Sequence, residues 1–276
     1  MLGVVVWVAA IGLTYGPVLA TLTRDWRTDA MYSHGFLVAP IACFLIWRQR
    51  QRLQTTPIEP SNAGLVLLAG SLAVFVAGTL GAELFLTRMS FIGVLAGSIL
   101  FAFGTRQLRL VAFPLAFLFF MIPLPAVIFD RIAVSLQLVA SALGEQLLRA
   151  ASVPVLRDGN LLRLAGGTLD VNEACSGIRS IGALLMLTAL IGYVAESRTW
   201  QRALLIALSV PLAIVLNGAR VALTGIAVTY FGSSAAAGAT HELMGLAVFV
   251  ASLVTVWLVH RGLAAAIGET GQLRIT

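Results

Sequence analysis

Apolar stretches, most of them close to the length of a bilayer-crossing helix, follow one another along almost the whole chain. They fall near 2–22, 35–47, 62–81, 88–104, 109–129, 176–195, 202–231 and 242–260, and most of the charge sits in the short segments between them. A bilayer core about 30 Å thick is crossed by a helix of about 20 residues, because each residue adds about 1.5 Å. Soluble domains carry roughly a quarter charged residues. This chain is 11% charged and 59% hydrophobic over its 276 residues. The expected fold class is an all-α polytopic membrane protein with about eight transmembrane helices. Residues 1–276 read as a single membrane domain, with no soluble C-terminal domain.

The formal charge of +6 does not point to nucleic acid. All 18 basic residues are arginines, and they are scattered between apolar runs as membrane-flanking residues rather than gathered in a patch. The N-terminal run MLGVVVWVAAIGLTYGPVLATL lacks a charged leader and a small-residue cleavage site, so it reads as the first membrane helix. The second run is short. Pro114, Pro123 and Pro125 are expected to bend or end the fifth near its exit. With the N-terminus inside, RQRQR at 48–52, TRQLR at 105–109 and ESRTWQR at 196–202 face the cytoplasm. The outer segments also hold arginines, but beside acids.

Two segments do not fit the pattern of spans. Residues 130–150 carry Asp130, Arg131, Gln137, Glu145, Gln146 and Arg149. A further crossing there would place ESRTWQR outside, so the segment is expected to lie as an interfacial helix at the outer surface. The RDGN of 157–160 stands between alternating apolar residues and predicts a hairpin turn within a small periplasmic cap.

Against this background the decapeptide VNEACSGIRS, 171–180, is anomalous: it gathers Glu173, Cys175, Ser176 and Arg179 at the mouth of an apolar run. Cys175 stands where a helix begins, facing unpaired N–H groups and the positive dipole end, which favours a thiolate and could hold an oxyanion. Cys43, inside FLVAPIACFLIW, reads as a small buried residue. Arg220 comes 18 residues after Arg202, about 27 Å along a helix axis, so it reaches the outer leaflet. Asn217 lies one turn away on the same face. His241 opens the last run on the same side. Three reactive residues far apart in sequence thus arrive at one depth, where an ionisable group is costly unless paired or wet.

Each also has a purely structural reading. Cys175 would be a loop-edge residue, Arg220 an ion-pair partner of Glu173 or Asp170, and His241 a cap or a partner of Glu242. His34, in YSHG, is also on the outer side and competes for acid–base or substrate-orienting work. His260 lies most of a membrane thickness away. No HExxH, GxSxG, intramembrane aspartate pair or nucleotide-binding loop is present. No metal and no organic cofactor is expected. The residues leave open a thiol enzyme and a non-enzymatic polysaccharide export or transport component with Arg220 lining a pathway.

The segments YSHGFLVAPI at 32–41, FPLAFLFFMIPLP at 113–125, NEACSGIRS at 172–180, NGAR at 217–220 and HELMGLAVF at 241–249 carry a resemblance. In this order they resemble the exosortases, the bacterial branch of a family of integral membrane cysteine transpeptidases. The family's Cys, Arg and His match Cys175, Arg220 and His241. The resemblance implies that the substrates are secreted proteins with a C-terminal sorting signal: a Pro-Glu-Pro-type motif, an apolar helix and a basic tail. It implies an enzyme of the bacterial inner membrane, associated with exopolysaccharide, with its active site facing the periplasm. A thioacyl intermediate would pass to an amine acceptor or to water; with water alone the protein is a purely hydrolytic membrane cysteine protease. Glu173, Ser176, Arg179, Asn217 and His34 stand as substrate-binding or supporting residues. Membrane lipid is the other expected partner.

Overall fold

The computed structural model describes residues 2–172, 177–195, 198–232, 234 and 238–266, the side chains of 239–242 and of a few terminal positions excepted. Its contacts divide the chain into two units, Met1–Pro125 and Ala126–Thr276. Among the described residues, seven helices are long and apolar enough to cross a membrane, with one shorter apolar helix, Gly35–Arg48. The all-α polytopic fold stands.

The first unit contains α1 (Leu2–Thr28), α2 (Gly35–Arg48), α3 (Arg50–Thr55), α4 (Ala63–Leu80), α5 (Leu84–Phe103) and α6 (Thr105–Phe117). The N-terminal run is a helix with a span over Val5–Thr28, as expected. On α2 the buried stripe is Gly35, Val38, Ala42 and Leu45, spaced as one helical face. Cys43 falls off that stripe and is exposed, which corrects the expectation of a buried thiol.

The fifth expected span, 109–129, is not one helix. α6 starts four residues earlier, passes through Pro114, tightens into a 3₁₀ turn at Leu118–Met121 and stops. Pro123 and Pro125 occupy the break, where two missing N–H donors prevent the helix from continuing. The carbonyls freed there are taken up by side chains of the same unit. Trp26 Nε1 donates to Met121 O at 2.9 Å, and His34 Nε2 lies 3.1 Å from Phe120 O.

The second unit begins with α7 (Ala126–Ala150). The segment expected to lie at the interface is a 25-residue helix with the length and composition of a span. Its charges concentrate at the two ends, Asp130–Arg131 and Glu145–Arg149, leaving 132–144 uncharged. Glu145 is balanced by Arg149 at 2.7 Å and Arg157 at 2.8 Å. α7 runs parallel to α9 (Thr199–Phe231): Leu143 meets Gly218, Gly144 meets Val221, and Leu148 meets Gly225. Small residues let the two backbones approach.

The cap expected as a hairpin is a three-stranded antiparallel sheet, β1 (Val155–Asp158), β2 (Leu161–Leu164) and β3 (Gly167–Asp170), in the order β1-β2-β3. Asp158 pairs with Leu161, so Gly159 and Asn160 form the two-residue turn. Gly159 takes φ +63°, which a first central glycine tolerates and other residues resist. Leu162, Leu169 and Val171 share a core with Ala140 and Leu148 of α7 and Val221 and Ala222 of α9. Ser141 Oγ donates to Gly159 O at 3.0 Å, pinning the turn to α7. The sheet is therefore fixed over the α7–α9 pair, and its last strand leads towards Cys175.

Candidate active site

α9 supplies the centre of the site. Asn217 and Arg220 lie three residues apart on one helical face, and both are buried, at 3% and 8% exposure. An arginine in such surroundings is costly unless its environment is built for it. One turn on, Thr224 Oγ1 donates to Arg220 O at 2.9 Å and lies 3.6 Å from Met244 Sδ of α10 (Gly238–Ala266). α10 thereby packs on the same side of α9 as the guanidinium.

Two glycines show what flanks this face. A Cβ on Gly177 would stand 2.6 Å from Asn217 Cγ, and Gly177 has φ +82°. Only glycine accepts both the conformation and the approach. Gly177 is two residues past Cys175 and precedes α8 (Ile178–Ala195). On α10, a Cβ at Gly245 would lie 3.2 Å from Arg220 Nη2 and 3.3 Å from its Cζ. Gly245 follows His241 by four residues, one helical turn. The Asn217–Arg220 face is thus bounded by the turn that leaves Cys175 and by the helix that carries His241.

The third boundary is the sheet. Leu169, Val171, Arg220, Val221 and Thr224 line a narrow gap with no room for water, which sets the guanidinium beside the end of β3. Its apolar walls keep the dielectric around Arg220 low, and a low dielectric strengthens the charge's action on any anion that reaches it. α8 and α9 run antiparallel, with Gly177 beside Asn217 and Gly192 beside Arg202. The end of α9 that holds Asn217 and Arg220 is therefore the end where α8 begins, as the depth argument required.

Cys175, Glu173 and Ser176 lie outside the described residues. His241 belongs to the first turn of α10 by its backbone, and its side chain is outside the described residues. Arg179 is exposed on the first turn of α8. His34 belongs to the first unit, where its ring faces the Phe120 carbonyl. A carbonyl only accepts, so Nε2 carries the hydrogen in that bond. Residues that sequence reasoning passed over include Thr224, Gly177 and Gly245. The spacing of Asn217, Arg220 and Thr224 at i, i+3 and i+7 was the available signal for the first. Both glycines sat inside quoted motifs, but their close approach is a tertiary fact.

Residues 26–258 match the sequence profile of a family described as transmembrane exosortase, which covers most of the chain. No curated protein and no solved structure matches it.

Proposed function

The chain belongs to the transmembrane exosortase family, and from that premise we propose that it is a membrane cysteine peptidase and transpeptidase acting on C-terminal sorting signals. Its substrates are secreted proteins with a Pro-Glu-Pro-type motif ahead of an apolar helix. The reaction takes place at the outer face of the bacterial inner membrane. One observation carries this reading: the buried Asn217–Arg220 face lies between Gly177, two residues past Cys175, and Gly245, one turn past His241.

Cys175 acts as a thiolate and attacks the scissile carbonyl carbon, forming the carbon–sulfur bond while the carbonyl oxygen takes up negative charge. Arg220 stabilises first the thiolate and then that oxyanion with fixed guanidinium donors in an apolar setting. Collapse breaks the carbon–nitrogen bond, and His241 supplies the proton to the departing amine. A thioacyl enzyme remains. An amine acceptor or water then attacks it, His241 takes up the proton, and the thiolate leaves.

The test is co-expression with a secreted protein bearing such a signal, followed by mass spectrometry of its C-terminus. Wild type is expected to yield a truncated product and Cys175→Ala the full-length chain. A mass increment equal to an amine acceptor marks transfer, and a free carboxylate marks hydrolysis. An uncut substrate with wild type, in cells where polysaccharide export depends on the protein, would support the non-enzymatic reading instead.

A further inference from the structure

Gly245 has no conformational reason to be glycine. It lies inside α10 and is absent from the positive-φ glycines, so alanine would be the better helix former. Gly262, on the same helix, would place a Cβ in open space. At Gly245 the Cβ would instead meet Arg220, at 3.2 Å from Nη2, 3.3 Å from Cζ and 3.7 Å from Nε. The first two are closer than ordinary van der Waals contact. The guanidinium is the far end of a flexible side chain, whereas α10 is backbone packed along α9. The side chain gives way first.

Resting on the function proposed above, we infer that Gly245 is a positioning residue for that reaction. The bare backbone of α10 is the seat of the Arg220 guanidinium, and a side chain at 245 moves the guanidinium without unfolding the helix. A shift of a few tenths of an ångström is small for folding. It is large for an electrostatic group, since misplacing reacting partners by about 1 Å can cost about a hundredfold in rate. Gly177 makes the matching approach to Asn217, but its φ of +82° would strain any replacement. Gly245 is therefore the position where displacement can be separated from misfolding.

The test uses the full-length protein in a Cys43→Ala background, so that Cys175 is the sole thiol. Two quantities are read: the pH profile of Cys175 alkylation by iodoacetamide, which needs no substrate, and kcat and KM for cleavage of a sorting-signal substrate. Gly245→Ala is expected to move the alkylation midpoint by about half a pH unit or more. It should lower kcat about tenfold with KM within about twofold, and leave the melting temperature undiminished. Gly262→Ala should match the parent in every respect. In an Arg220→Ala background, adding Gly245→Ala should change neither the alkylation profile nor the melting temperature beyond the gain seen in Gly262→Ala, because the residue it acts through is gone.

A parental profile and kcat in Gly245→Ala would overturn the proposal, as would an effect that persists undiminished on Arg220→Ala. A loss of melting temperature that Arg220→Ala fails to relieve would overturn it too. Cleavage by Cys175→Ala would bring down the proposed function instead, and the substrate-free alkylation cycle would still decide the role of Gly245.

Discussion

The two units each bury an arginine, and the neighbours that pack against the two differ. Arg88 of α5, 3% exposed, meets Asp25 of α1 at 2.5 Å, so a cation is matched by an anion across two helices. Arg220 of α9, 8% exposed, lies against the bare backbone of Gly245, beside an apolar crevice. Their histidines divide similarly. The ring of His34 faces a carbonyl released by a proline break, while His241 opens the helix that seats Arg220. Burial alone does not mark chemistry. Arg88 and His34 contact groups of the first unit, whereas Asn217 and Arg220 lie between Gly177 and Gly245 of the second.

This contrast is open to attack by substitution. The largest effect belongs to the thiol: Cys175→Ala should reduce processing by about a thousandfold or more, as loss of a nucleophile does. Cys43→Ala, at an exposed site on α2, should process as wild type. Comparable losses at both thiols, measured by substrate cleavage in membranes, would erase the distinction.

Next come the arginines. Arg220→Lys should fold yet lose about a hundredfold in kcat, because an ammonium is a point charge without the planar fork. Arg88→Lys should cleave normally, since a point charge still answers Asp25. Arg88→Ala should cost roughly 2–3 kcal/mol, less than the roughly 3–5 of a fully buried broken pair because Asp25 is partly exposed. Thermal melts in detergent, run beside cleavage assays, separate the two roles. Equal kcat losses in the two lysine variants would dissolve the contrast between the units.

His34→Ala should cost about 1–2 kcal/mol by leaving the Phe120 carbonyl unmatched. His34→Gln, which keeps a donor, should recover much of it. His241→Ala should leave stability intact and stop cleavage, and His260→Ala should change neither stability nor cleavage. If His34→Ala stops cleavage while His241→Ala still cleaves, the histidine roles are reversed.

The smallest effect is on alkaline stability. Burial raises the Tyr32 phenol above its usual value near 10, partly offset by the Leu124 N–H. The folded state therefore keeps its proton where the unfolded chain loses it, and stability falls as pH rises through that window. Tyr32→Phe should flatten this fall in a pH series of melts.

Much of the fold was legible because apolar length and charge spacing dictate spans directly. The RDGN turn was legible because Gly159 supplies the φ the turn demands. The extent of the fifth helix was not. Its end depended on 3₁₀ tightening ahead of Pro123, and on Trp26 and His34 being near enough to donate to the released carbonyls. The span-like character of the 130–150 helix was hidden for a related reason: its charges looked distributed in sequence, but Glu145 is paired with Arg149 and Arg157. Arg220 and Asn217 were legible as intramembrane polar residues. Their seats on Gly245 and Gly177 were not, since close approach between helices leaves no periodic trace.

α7 bears on orientation, because it has the length and composition of a crossing and each crossing reverses the side of everything that follows. In a Cys43→Ala, Cys175→Ala background, a cysteine placed at Asp158 should react with a membrane-impermeant maleimide from outside, and one at Thr199 should not. The reverse labelling would turn the site to the cytoplasm.

The central claim is a covalent bond between Cys175 and the substrate's carbonyl carbon, and trapping reads it most directly. Purified protein is incubated with a sorting-signal substrate and hydroxylamine, and the new C-terminus is weighed by mass spectrometry. The expected product is a C-terminal hydroxamate from wild type and from Cys43→Ala, with none from Cys175→Ala. Hydroxamate formation or cleavage in Cys175→Ala would contradict the thiol mechanism outright.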